Sequence, residues 1–160
     1  MFHLVPWLVD SSWKTLFSAR HWNAKATFAP HFEDCAQFLA ILENNASCFA
    51  DLSYLAPDLL GYETPNYWRV TVHGAKGMAE ACWNLHDVTV VTDIDKSMRQ
   101  LPALHDITSD YLQDFLDEIS GTSAVDALTT DRVLSVSWQA LQTQRALQTD
   151  LPFDLSFAES

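Results

Sequence analysis

The run Val90-Val91-Thr92-Asp93-Ile94-Asp95 closes a β-branched segment with two carboxylates two residues apart. On a strand, residues i and i+2 face the same way. Asp93 and Asp95 could therefore share a Mg²⁺, or one of them could attack as a nucleophile. A larger concentration of acid follows. Between Gln100 and Asp131 stand Asp106, Asp110, Asp114, Asp117, Glu118, Asp126 and Asp131, with no Lys or Arg among them. Asp110, Asp114, Asp117 and Glu118 are spaced to stack on one face of a helix. Like charges at that spacing each cost about 0.2–0.5 kcal/mol, and acids in a last helical turn oppose the macrodipole. Such a stripe is expected to meet a cation-rich partner. The alternative is a plain solvated face.

The Asp93–Asp95 string resembles the first motif of haloacid-dehalogenase-type phosphatases. In that pattern one aspartate is the nucleophile and a second stands two residues on. The sequence departs from it at Lys96-Ser97, where the family has Gly-Thr. No strand-borne lysine or acidic pair after Asp95 completes the site. Thr71-Val-His-Gly-Ala-Lys-Gly-Met78 resembles a late strand-and-turn motif of superfamily-1 DNA helicases. No G-x-x-x-x-G-K-[ST] accompanies it, so there is no phosphate cradle.

Other reactive residues are scattered. His31 and Cys35 are four apart and could share a metal, but no further ligands stand at metal-site spacing. His86-Asp87 and His105-Asp106 are adjacent pairs, and sequence adjacency does not make a triad. Neither G-x-S-x-G, H-E-x-x-H nor G-x-G-x-x-G occurs. Tyr62, Tyr67 and Trp68, with Tyr54 before them, surround a turn-rich loop. Large rings with a polar handle there can anchor a partner or roof a core.

Composition and hydropathy pattern define the framework around these residues. At 160 residues, 48% of them apolar, with 6 Trp, 9 Phe and 4 Tyr, the chain can bury a core without staples. The net charge is −12 and the pI about 4.6, which disfavours nucleic acid and anionic membranes. The charge is uneven. Residues 1–100 hold 11 acids against 7 bases (−4), and 101–160 hold 10 against 2 (−8). Cys35, Cys48 and Cys82 form an odd set without C-x-x-C, as in a reduced compartment. No signal-peptide pattern or long apolar span is evident, so the cytoplasm is expected.

Phe2–Val9 reads as a short strand that Pro6 confines to an edge or breaks. A helix capped by Ser11 or Ser12 would align Trp13, Leu16, Phe17 and Arg20. A second would begin near Phe32 and align Cys35, Phe38, Leu39 and Leu42. A loop over Ala56–Asn66 precedes a strand at Trp68–His73, a turn at Gly74–Gly77, a short helix at Met78–Leu85 and a strand at Asp87–Asp93. The acidic helix, capped by Thr108 or Ser109, would bury Tyr111, Leu112, Phe115, Leu116 and Ile119 and stop at Gly121. Residues 132–138 fit helix or strand, Trp138–Gln148 is helical, and Phe153, Leu155 and Phe157 alternate as a last strand.

These elements give a single domain over 1–160, α+β or small α/β, with a central sheet, helices packed on it and a strongly acidic part from about 100. The function expected is an acidic inhibitor of the immunity or antitoxin type, cytoplasmic, which neutralises a basic, nuclease-like toxin by forming a complex. Asp106, Asp110, Asp114, Asp117, Glu118, Tyr62, Tyr67 and Trp68 would meet the partner, and no catalytic residue, metal or cofactor is assigned. The rivals are a metal-dependent phosphohydrolase using Asp93 and Asp95, and a secretion-type chaperone or structural subunit. Enzyme status leans negative, and the oligomeric state is open.

Overall fold

The computed structural model describes residues 1–63, 67–103, 111–124, 127–146 and 153–154. They form two compact units, Met1–Leu55 with Ser109–Ser160, and Ala56–Thr108. Each contains a four-stranded sheet, and every strand pairing is antiparallel. The architecture is therefore mixed α+β. The α/β alternative needs parallel crossovers, and none occurs among the described residues. The expected single central sheet is corrected to two.

The first unit opens with α1 (Leu4–Val9), where a strand was expected. Pro6 is tolerated because it lies in the first turn, where its missing N–H is not required. The Phe2 carbonyl, which residue 6 would otherwise engage, accepts the Trp13 indole N–H at 3.0 Å instead. Strands β1 (Trp13–Trp22), β2 (Cys35–Leu42) and β3 (Ser47–Ser53) follow, with β8 (Phe153–Asp154) on the far edge in the order β3-β2-β1-β8.

Both helices expected over this stretch are strands. In β1 the register shifts between Trp13 and Thr15 and again between Leu16 and Ser18. The first bulge adds a residue, so Trp13 and Leu16 reach the same face at a spacing of three, which imitates a helix. In β2 both faces are at least half covered, and alternation survives only at Phe38, Ala40 and Leu42.

That inner face builds the core. Trp13, Leu16, Phe38, Ala40, Leu42 and Ala50 pack with Ala146 of α3 (Thr130–Ala146) and with Phe2, Val5 and Val9. Phe2 stacks on Phe38 at 5.5 Å and meets Trp13 edge-on at 5.7 Å. The small Ala146 side chain lets α3 approach the sheet closely. The helix expected from Trp138 is present and begins earlier, at Thr130, so residues 132–138 are helical.

The second unit is a meander, β4 (Arg69–Gly74), β5 (Gly77–Cys82), β6 (Asp87–Thr92) and β7 (Arg99–Pro102), paired in chain order. The strands expected at Trp68–His73 and Asp87–Asp93 and the turn at Gly74–Gly77 are present. The short helix expected after the turn is instead β5. Its Met, Ala and Glu residues favour helix, but pairing along both edges overrides that propensity. Gly77 has φ 150°, and a Cβ there would collide with the Val91 carbonyl across the ladder. A 3₁₀ segment, Asp58–Glu63, lies in the expected loop. No helix of the described residues is long and apolar enough to cross a membrane.

Candidate functional site

The acidic helix is α2 (Tyr111–Ser120). It stops as its sequence predicts, with Gly121 at φ 71°. The Gly121 N–H donates to Glu118 O at 3.1 Å and the Thr122 N–H to Asp117 O at 2.8 Å, a Schellman closure. Its orientation reverses the expectation. Tyr111 is 77% exposed, Ile119 68% and Phe115 52%, with Leu112 and Leu116 also exposed. The supposed inner face is the outer one.

The carboxylates are the inward-turned groups. Asp114 Oδ2 accepts the Leu128 N–H at 2.8 Å. Glu118 accepts the Thr130 N–H at 3.0 Å and the Thr130 hydroxyl at 2.7 Å. Asp117 Oδ1 accepts from Gln113 Nε2 at 2.8 Å along the helix. The Asp114 and Glu118 bonds hold the returning chain and the start of α3. Thr129 Oγ1 accepts the Arg132 N–H at 3.3 Å, capping α3 from its own side. The first turn of a helix offers N–H groups without intrahelical partners and a partial positive charge. An acid that opposes the dipole of α2 therefore suits the dipole of α3.

Between the two helices runs a groove of about 350 Å³ lined by Tyr111, Leu112, Phe115, Glu118, Leu128, Thr130, Val133 and Leu134. The same first turn of α3 carries Arg132, whose Nη1 donates to Ala127 O at 2.9 Å. Its charge also acts on His3, ahead of α1. Partial burial first, then Arg132 and the N-terminal ammonium, lower the His3 pKa below its ordinary value. A neutral imidazole at physiological pH can accept a proton. Sequence reasoning missed His3 because nothing in its neighbours signals the distant arginine.

The remaining expected site residues fare differently. Asp106 and Asp110 lie outside the described residues, as do the expected caps Thr108 and Ser109 and the side chain of Tyr62. Tyr67 and Trp68 are together in the second unit, ring centroids 6.4 Å apart. Trp68 is 70% exposed with φ 49°, a left-handed backbone unusual for a bulky residue. It lies outside the core and does not roof it.

Asp95 has a structural task. Its Oδ2 accepts the Thr92 N–H at 2.7 Å and the Thr92 hydroxyl at 2.8 Å, and Oδ1 faces Arg99 Nε at 3.2 Å. The Thr92 hydroxyl bond heads the contacts that lower its pKa. Asp93 is exposed in the same turn. No group of three or more His, Cys, Asp or Glu residues converges among the described residues. The Asp93–Asp95 pair is thus a turn device, and the phosphohydrolase reading is withdrawn.

No protein-family model matches the chain, and no curated protein matches it by sequence. Solved structures do. A protein assigned as an oxidoreductase, from Thermotoga maritima, aligns over 96% of this chain and 44% of its own at TM-score 0.78 and 20% identity. The likeness shows a shared fold. The aldose-aldose oxidoreductase from Caulobacter crescentus, complexed with glycerol, aligns over 95% and 44% at TM-score 0.68 and 14% identity. An oxidoreductase from Agrobacterium radiobacter, in complex with NAD⁺, L-tartaric acid and magnesium, aligns over 96% and 46% at TM-score 0.63 and 17% identity. The chain spans about half the length of these proteins. The likeness corrects the reading as an immunity or antitoxin-type inhibitor. Of the stripe, Asp114 and Glu118 hold the returning chain and the start of α3.

Proposed function

We propose that this chain forms the substrate-side portion of an oxidoreductase acting on a small polyhydroxylated compound, with the nicotinamide nucleotide held by other protein. The observation that carries this reading is the fold shared with the T. maritima protein over 96% of the chain and under half of that protein. The residues present do not fit a dinucleotide. Both sheets are antiparallel meanders or hairpins, without a strand-turn-helix unit among the described residues to present phosphate to a helix N-terminus. The sequence contains no G-x-G-x-x-G, and its four glycines are Gly61, Gly74, Gly77 and Gly121. No reaction step through that nucleotide is assigned to this chain.

What the chain would contribute is a place for the substrate and a base. His3 is the candidate, a neutral imidazole able to take the proton of a substrate hydroxyl. Burial first, and then Arg132, disfavour the protonated form and so leave the imidazole neutral. A reducing compartment such as the cytoplasm suits Cys35, Cys48 and Cys82, all free thiols with pKa values raised chiefly by burial.

NMR that observes both the ligands and the His3 signals of the chain, with NAD⁺ and with aldoses, glycerol and L-tartrate, tests the reading. The expected result is saturable contact with at least one hydroxylated compound, perturbing the His3 resonances, and none with NAD⁺. Saturable NAD⁺ binding by this chain would overturn the assignment. So would a His3 signal indifferent to every hydroxylated compound.

A further inference from the structure

We propose that the groove between α2 and α3 docks an amphipathic helix of a partner protein, which lays an apolar side chain on Leu112 and Phe115 and a Lys or Arg beside Glu118. The walls are apolar and outward-facing, Tyr111, Leu112 and Phe115 on one side and Val133 and Leu134 on the other. Leaving that much contiguous apolar surface in water is unfavourable, and such patches mark interaction sites. The groove's volume, about 350 Å³, accommodates large side chains. Its walls are side chains of two helices and offer no strand edge, so the fitting mode is a helix lying in a groove.

Charge selects the occupant. Glu118 lines the groove, Asp114 accepts the N–H of Leu128, another lining residue, and Asp131 is exposed at the first turn of α3. The cation of that turn, Arg132, is directed to the Ala127 carbonyl. Among the described residues of 111–146 the acids are Asp114, Asp117, Glu118 and Asp131, against Arg132 and Arg145. A carboxylate has about four acceptor sites, and Thr130 engages only part of those on Glu118. A Lys or Arg suits this place because its apolar stem can lie on the Phe115 ring while its head reaches the carboxylate. A second copy of the chain fits badly. A two-fold contact centred on this groove would gather the acids of both copies, Glu118 and Asp131 among them, in one desolvated interface. The proposal is independent of the oxidoreductase assignment.

Fluorescence anisotropy with two labelled helical peptides tests it. One carries Leu at i, i+3 and i+4 with Lys on the flanks, and the other has Glu in place of Lys. The chain is expected to bind the Lys peptide saturably and the Glu peptide at least about tenfold more weakly. Raising the salt should weaken the Lys complex, and Phe115→Ser should weaken it about tenfold or more. Circular dichroism checks that the variant is folded, and Leu134→Ser on the opposite wall repeats the test if it is not. No binding, equal binding of the two peptides, or indifference to both substitutions would overturn the proposal. So would a homodimer in light scattering that Phe115→Ser dissociates, because the occupant would then be a second copy.

Discussion

The Glu118 carboxylate accepts both the N–H and the hydroxyl of Thr130, so an acid near the end of one helix caps the start of the next. Considered within α2 alone, Glu118 is unfavourable by roughly 0.3–1 kcal/mol against the dipole. Across the turn it meets a donor that α3 cannot satisfy internally, through charge-assisted bonds. Glu118→Ala is therefore expected to lower the unfolding free energy by about 1–2 kcal/mol. Urea denaturation measures this, and a loss below about 0.3 kcal/mol would show that the cap contributes little.

The outward rings of α2 give the opposite expectation. Tyr111→Ser and Ile119→Ser remove large apolar groups, yet each should change stability by no more than about 0.5 kcal/mol, since both are exposed. Leu16→Ala, at a fully buried position in the first sheet, should cost about 2–5 kcal/mol in the same assay. Comparable losses at all three positions would place the α2 rings inside the core.

Asp34 ties acid stability to one loop. It is buried and accepts the N–H groups of Ala24, Lys25 and Ala26 at 2.7–2.8 Å. Those bonds, Ala24 first, outweigh burial and lower its pKa from 3.8 to about 2. Because the folded value is the lower one, the contribution is fully present above the unfolded pKa and is lost as pH falls from about 4 toward 2. In Asp34→Asn the melting temperature should start lower and fall less across that window. A parallel acid profile for the two proteins would assign the titration to another group.

Gly77 is a local requirement of the second sheet. Gly77→Ala forces a side chain into a left-handed φ and against the Val91 carbonyl. A loss of about 2–4 kcal/mol is expected, larger than the usual surface substitution. Gly74→Ala is the control, because its added Cβ would sit 3.7 Å from the nearest atom, in ordinary contact. Equal effects at the two glycines would refute the steric explanation.

Much of the second unit was legible in the sequence. Alternating β-branched residues marked β4 and β6, and Gly74 and Gly77 marked the turn that leads out of β4. The first sheet was hidden by its own geometry. The bulge between Trp13 and Thr15 gives Trp13 and Leu16 a helical spacing, and Phe38 and Leu39 read as neighbours on a helix because β2 is covered on both faces. For α2 the pattern revealed the helix and its Gly121 stop, but amphipathicity has no sign when both stripes have a use. Which stripe faces inward depends on where Leu128 and Thr130 return, a relation between residues more than ten apart. Asp95 misled for a similar reason, since its partners Thr92 and Arg99 are ordinary turn residues.

Helix α2 turns Asp114 and Glu118 toward the chain that leads into α3 and leaves its rings exposed. Amide hydrogen exchange at Leu128 and Thr130 tests this directly, comparing the natural chain with Asp114→Ala and Glu118→Ala. The prediction is that Leu128 loses protection in the first variant and Thr130 in the second, while the amides of β1 and β2 are unchanged. Unaltered protection at both amides would contradict it.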